Sequence, residues 1–242
     1  MPPLPLAQVV PAQEGVAGQF GANPLVTLVV LALMAILPFL LMMTTSFLKF
    51  AVVLSILRSA LGTQQIPPTP VIMGLALVMT IYVMAPVGSQ IHTAVQEEMA
   101  QSTGDAVMSG SGSRAILQAL GQAREPLRRF LEKHAHEPDV SLFLGYRRHM
   151  VPEEERQNIK RQDLMILLPA FAISELAEAF AIGFLIFLPF LVIDMVVSNI
   201  LLAMGMFMLP PVIVSLPFKL LLFIMIDGWR LLTEGLLQPY VA

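Results

Sequence analysis

Apolar and polar positions are segregated along this chain into long blocks, and the blocks define its elements. The first apolar run is Leu25 to Met43, long enough for one membrane span of ~20 residues. Pro38 interrupts its amide ladder and predicts a kink. After Thr44-Thr45-Ser46 the helical pattern resumes as FLKFAVVLSILRSALG. A continuous helix from Leu25 to Leu61 would be ~55 Å long. That exceeds the ~30 Å hydrocarbon core, so either the helix breaks near Thr44 or it is not a simple span. Gly62 is a stop signal, and the stretch through Pro67-Pro68 is a turn. Val71 to Val87 is the second apolar element.

The pattern changes at Gly88. From there to Asp163 lie most of the charged side chains and all four histidines, so this is the water-facing part. Ser102 to Ser113 is a Gly/Ser-rich linker. Ser113 to His134 carries Ile116, Leu117, Leu120, Leu127, Phe130 and Leu131 near helical spacing, with Pro126 expected to split the helix. VSLFLGYRRHM predicts a further helix, and PEEERQNIKRQD a charged helix start. Leu164 to Tyr240 is apolar again and reads as a long helix, a Met-rich tip and a second long helix returning. Two consecutive prolines, Pro210-Pro211, are expected to end the first arm. No segment alternates like a strand. The expectation is an all-α chain of four parts: a disordered tail over 1–24, an apolar helical hairpin over 25–87, a polar helical segment over 88–163, and a second apolar hairpin over 164–242.

Composition narrows the class. The chain is 56% hydrophobic and 13% charged, about half the charge usual for a soluble domain. Most of its surface is therefore not wet, which points to a membrane protein or an obligate part of an assembly. Net charge is −3 with no basic run, which argues against nucleic acid as a partner. There is no cysteine, hence no thiolate metal site and no disulfide. The N-terminal stretch lacks the positive region of a secretory signal. Lys49 and Arg58 before the Pro67-Pro68 turn favour a cytoplasmic turn, with the polar segment outside and the Met-rich tip inside.

Charges inside the apolar runs are the candidate sites. Glu175 and Glu178 lie one turn apart on one helix face, in a stretch of small residues that lets helices approach closely. A carboxylate facing lipid is costly, so both face protein or a water cavity. One reading is a polar contact to a neighbouring helix, often on another chain; the other is a proton relay or cation site. No histidine accompanies them, so a di-metal site is excluded. Lys49, Asp194, Lys219 and Asp227 are further buried charges, expected with Glu175 and Glu178 to make contacts between subunits, and Lys219 and Asp227 are too far apart to pair on one helix. Trp229 reads as an interface anchor. His134-Ala-His136 is a weak metal signal, and solvated surface is expected for the histidines. Met204, Met206 and Met208 are ordinary packing residues by type, but they sit at the break between two helices. In a ring of copies, with Phe207, they would form a deformable apolar seal.

Three stretches carry a resemblance: Leu37 to Pro68, Ile166 to Met206 and Leu216 to Leu232. With GLALVMTIYVMAP they cover most of the chain outside the tail and the polar segment. They resemble the SctR family, called FliP in flagella, the core subunit of the type III secretion export gate. Gly62-Thr-Gln-Gln-Ile-Pro-Pro68 is more similar to the injectisome branch. The resemblance implies a ring of five copies in a helical assembly with SctS/FliQ-like and SctT/FliR-like subunits, and an SctU/FlhB-like subunit beside them. It implies a location in the bacterial inner membrane, with the complex projecting to the periplasmic side. It also implies a channel for unfolded secreted proteins, narrowed by a loop here formed by Met204, Met206, Phe207 and Met208. Phe207 departs from the methionine common at that position and is stiffer. The expected function is thus a non-enzymatic pore subunit without cofactor or metal. Ion or proton conduction through Glu175 and Glu178 is the alternative. No phosphate loop or nucleophile–base spacing points to an ATPase or hydrolase.

Overall fold

In the computed structural model, the described residues are 24–63, 66–101 and 112–241. The expected tail over 1–23 and most of the Gly/Ser linker lie outside them. Among the described residues all regular structure is helical. The helices are α1 (Pro24–Thr44), α2 (Phe47–Leu61), α3 (Thr69–Gln101), α4 (Gly112–His134), α5 (Glu137–Met150), α6 (Leu164–Ala203), α7 (Pro211–Met225) and α8 (Gly228–Val241). The chain divides into two compact units, residues 1–41 and 42–242. In the first, Leu28, Leu31, Met34, Ile36 and Phe39 are exposed along α1.

The second unit is built on α2 and α6. The inner face of α2 repeats at helical spacing: Phe50, Val53, Leu54, Leu57, Ala60 and Leu61 are all buried. Such a stripe is what commits an amphipathic helix to a core. α2 packs on α6, where Gly183 lets the backbones meet. A Cβ there would lie 2.4 Å from Ile56 Cδ1. With Lys49 facing Glu175 and Glu178 and Ile56 facing Gly183, the two helices run parallel. Ile72, Ala76 and Met79 of α3, Phe223 of α7, and Leu232 and Leu236 of α8 complete this core.

A second cluster lies where the polar segment meets the start of α6. Phe130 and Leu131 of α4 and Val140 of α5 pack on Ile166, Leu167, Ala170 and Phe171 of α6, with Val87 of α3. Leu127, Phe130 and Leu131, the described part of the α4 stripe, are therefore a docking face.

Several local expectations are corrected. The α4 helix is not split at Pro126. There, docking of Phe130 and Leu131 on α6 outweighs one missing amide bond. α3 runs past Val87 to Gln101. The PEEERQNIKRQD stretch forms a short 3-10 turn at Arg156–Asn158 instead of a helix start. The returning arm is two helices bent by 63°. Asp227, at φ 53°, takes a left-handed turn there, and Gly228 packs so closely that a Cβ would strike the Phe223 ring. The helix from Leu25 does break, at Thr45-Ser46.

Two helices, Thr69–Glu97 within α3 and α6, are long and apolar enough to cross a membrane by themselves. The count reaches four if the broken pairs α1/α2 and α7/α8 each form one span. The chain is a membrane protein by this measure.

Gly183 generates a prediction. Gly183→Leu should push α2 off α6 and destabilise the protein by ~1–3 kcal/mol, the usual cost of overpacking. Ile56→Ala in the same chain should restore much of the loss. Thermal unfolding of the detergent-solubilised protein measures both, and no recovery in the double variant would locate the clash elsewhere.

Candidate functional site

Three places concentrate the candidate residues, and α6 carries all of them. The first is around Lys49 of α2. Its side chain is 1% exposed, as is that of Glu175. Lys49 Nζ lies 2.6 Å from Glu178 Oε2 and 3.3 Å from Glu175 Oε1. It also stands over the Tyr240 ring of α8, 4.4 Å from the centroid. The Tyr240 hydroxyl donates to Glu175 Oε2. A buried ammonium needs both charge and donors satisfied; here it has two carboxylates and an aromatic face.

The polar segment joins the same cluster. The His136 ring has Nε2 2.6 Å from Glu178 Oε1. Its backbone N–H donates to Ser174 Oγ at 2.8 Å, and that hydroxyl donates to Asp139 Oδ2 at 2.6 Å. His134 packs against Phe130 and Tyr240. Burial lowers its pKa to about 4, aided by Lys133 and Lys49 and opposed by Glu178. His134 is therefore not the solvated surface expected of it, whereas His136 is exposed as expected while also contacting Glu178. Among the described residues no group of His, Cys, Asp or Glu could hold a metal ion.

The second place ties the hairpin arms together. Lys219 of α7 is buried, with Nζ 2.7 Å from Asp194 Oδ2 of α6 and 3.0 Å from the Ala60 carbonyl at the end of α2. Ser215 Oγ donates to Asp194 Oδ1 at 2.5 Å. An ammonium at the C-terminal end of α2 meets the negative pole of that helix. Asp227 stands apart: it is exposed, and no salt bridge joins it to another described residue.

The third place is the α6–α7 turn. The double proline does not end α6. Gly205 does so at φ 71°, with Gly205 N–H donating to Leu202 O and Met206 N–H to Leu201 O. This is a Schellman motif, and its left-handed residue suits glycine. Pro210 and Pro211 instead start α7, where a missing N–H costs nothing. Beyond the cap, Phe207 is 77% and Met208 95% exposed, with Met204 and Met206 also exposed. Behind the tip the arms leave an apolar groove of 580 Å³, its walls including Ile193, Val197, Leu201, Met204, Leu209 and Phe218.

Five of the six charged candidates thus fall into two clusters whose pairs close within one chain. Tyr240, Ser174, Ser215, His136 and Asp139 belong to them as well and were missed. Each is a lone polar side chain, in or beside a helix, with no spacing to any of the charged candidates that would mark it in the sequence.

Comparison with known proteins agrees on one family. The FliP family profile matches residues 30–236. "Yop proteins translocation protein R" of Yersinia pestis is 46% identical over 213 residues, covering 88% of this chain and 94% of that protein. "Virulence protein YscR" of Salmonella typhimurium is 43% identical over 220 residues, covering 90% of this chain and 97% of that protein. "Flagellar biosynthetic protein FliP" of Bacillus subtilis is 42% identical over 213 residues, covering 88% and 90%.

The cluster predicts an order of damage. Lys49→Met leaves Glu175 buried without its cation and should cost ~3–5 kcal/mol. Tyr240→Phe keeps the ring and loses one bond to a carboxylate, a loss of ~1.5–3 kcal/mol. Thermal unfolding of the purified protein ranks them, and a milder Lys49→Met would contradict the assignment. His134 predicts a pH effect. Its pKa is lowered on folding, so its stabilising contribution is complete above about 6.5 and is lost as pH falls towards about 4. Unfolding midpoints across that window should drop in the wild type and drop less in His134→Gln.

Proposed function

The chain belongs to the FliP family, and on that premise we propose that it is a pore-forming subunit of a bacterial type III secretion export gate. A role in secretion export follows from its relatives. The finer reading rests on one observation: Met204, Met206, Phe207 and Met208 stand exposed on a capped turn at the end of a two-armed apolar hairpin. In a ring of copies these tips converge on one axis. A narrow apolar constriction excludes water and ions by dewetting. Methionine has three rotatable bonds and a soft thioether, so the seal yields to a passing unfolded polypeptide and closes behind it. Phe207 adds bulk with less compliance.

In this reading the subunit is structural, not an enzyme. It sits in the inner membrane with SctS/FliQ-like, SctT/FliR-like and SctU/FlhB-like neighbours, projecting to the periplasmic side as a homo-oligomeric ring. Asp227 is the candidate charge without a salt bridge among the described residues, and in this reading it serves a contact with a neighbouring subunit. The alternative of an ion carrier using Glu175 and Glu178 is disfavoured. Lys49, Tyr240 and His136 already occupy both carboxylates, and a conducting site needs a group free to exchange its ion.

Replacing Met206, Phe207 and Met208 with Ala tests the seal. The arms and both charge clusters are untouched, so the complex should accumulate normally. Cells should become leaky to ions or a small dye while protein export continues in part. Wild-type tightness at normal complex levels would assign the tip to packing and move the gate elsewhere.

A further inference from the structure

The turn that ends α2 touches the helix that follows the Met-rich tip. Gly62 closes α2 at φ 74°, its N–H donating to Ser59 O at 3.1 Å. A Cβ on Gly62 would lie 3.2 Å from Val212 Cγ1 and 3.6 Å from Lys219 Nζ. Carbon atoms in ordinary contact sit ~3.5–4.0 Å apart, so α7 comes closer to this backbone than a side chain would allow. Val212, Ser215 and Lys219 stand at i, i+3 and i+7 and share one face of α7. Ser215 and Lys219 are buried there. Lys219 Nζ reaches the Ala60 carbonyl at 3.0 Å and Asp194 Oδ2 at 2.7 Å, and Ser215 donates to the other oxygen of Asp194. The first turns of α7 are thus seated on the end of α2 as well as on α6.

We propose that Gly62 is a positioning residue for the tip. The tip, Met204 to Pro210, has two anchors. At its start the Gly205 cap ties it to α6 through the Leu201 and Leu202 carbonyls. At its end Pro210 leads directly into α7, with Ile213 N–H donating to Pro210 O at 3.2 Å. Between the anchors Phe207 and Met208 are exposed, so the place of the second anchor sets where these side chains stand. Lys219 holds α7 by charge, on a flexible four-carbon stem that follows small shifts. Gly62 adds a rigid stop, because its backbone meets Val212 two residues after Pro210. A left-handed cap alone could be asparagine as well as glycine. The close approach of Val212 is what asks for a residue without a Cβ. The seat is a feature of one chain, and its consequence for leakage rests on the seal proposed above.

Gly62→Ala, alone and together with Val212→Ala, tests the seat. Both variants carry the left-handed strain of alanine at 62, so the difference between them reads the contact. Val212 is half-exposed, and trimming it leaves the core intact. In the full-length chain, purified in detergent with its co-expressed assembly, amide hydrogen exchange over residues 204–213 should run roughly fivefold faster in Gly62→Ala, the low end of what overpacking does. Exchange over residues 164–178 should keep the wild-type rate, and the double variant should return most of the way. In cells with normal complex levels, Gly62→Ala should admit a small dye and the double variant should not. If Gly62→Ala does not accumulate, Val212→Ile, which lengthens the same Cγ1 branch, takes its place and should produce the same two changes. Unchanged exchange over 204–213, or exchange and leakage equal in the single and double variants, overturns the proposal. Wild-type tightness in Gly62→Ala overturns it when the triple alanine variant of Met206, Phe207 and Met208 leaks. When that triple variant is also tight, the seal has failed and exchange alone decides the seat.

Discussion

An ammonium taken out of water must bring its counter-charge with it, and Lys49 is where this chain meets that requirement. The side chain is sealed between α2 and α6 and reaches both Glu175 and Glu178. Two parallel helices are thereby held in one register, because a slip of either would strand a charge in apolar surroundings. Tyr240 closes the cluster from α8 and packs against both hydrophobic clusters. Its ring touches Phe50 of α2 and Phe130 of α4. One ion cluster and one aromatic ring thus join the apolar hairpin, the polar segment and the last helix.

The same helix carries a second clamp further along. Asp194, Ser215 and Lys219 tie α6 to α7 and, through the Ala60 carbonyl, to the end of α2. Forty residues make α6 ~60 Å long, about twice the hydrocarbon thickness. Its first turns are occupied by the polar segment, through Ile166, Leu167, Ala170 and Phe171. The over-long apolar helix is therefore partly a protein core. Charges at Glu175 and Asp194 are tolerated because each is already satisfied before any lipid is met.

Past the second clamp the arms carry no charge, and only side-chain packing defines the groove behind the tip. The tip itself is a short turn capped by Gly205. Its backbone is set by two hydrogen bonds while its side chains are exposed. That combination, a fixed backbone under exposed thioethers, is what the proposed seal requires in order to deform without unfolding.

Much of this was legible in the residues. Helical periodicity in α2, the break near Thr44, the long apolar arm from Leu164 and the exposed tip at Met204 to Met208 all follow from local pattern, because hydrophobic spacing and chain-breaking residues act over a few positions. Family resemblance carried the family and its link to secretion export, since it rests on matches over most of the chain. Helix ends were less legible. Proline at 126 is absorbed in a helix docked on α6, and Gly205 rather than Pro210 ends α6, because the left-handed cap acts first along the chain. What only the tertiary structure decided is who meets whom. Nothing in the spacing says that Lys49 belongs to Glu178, 129 residues away, or that Tyr240 and His136 complete the same cluster. Pairing of buried charges is set by which helix faces come together, and that is a property of the whole packed chain.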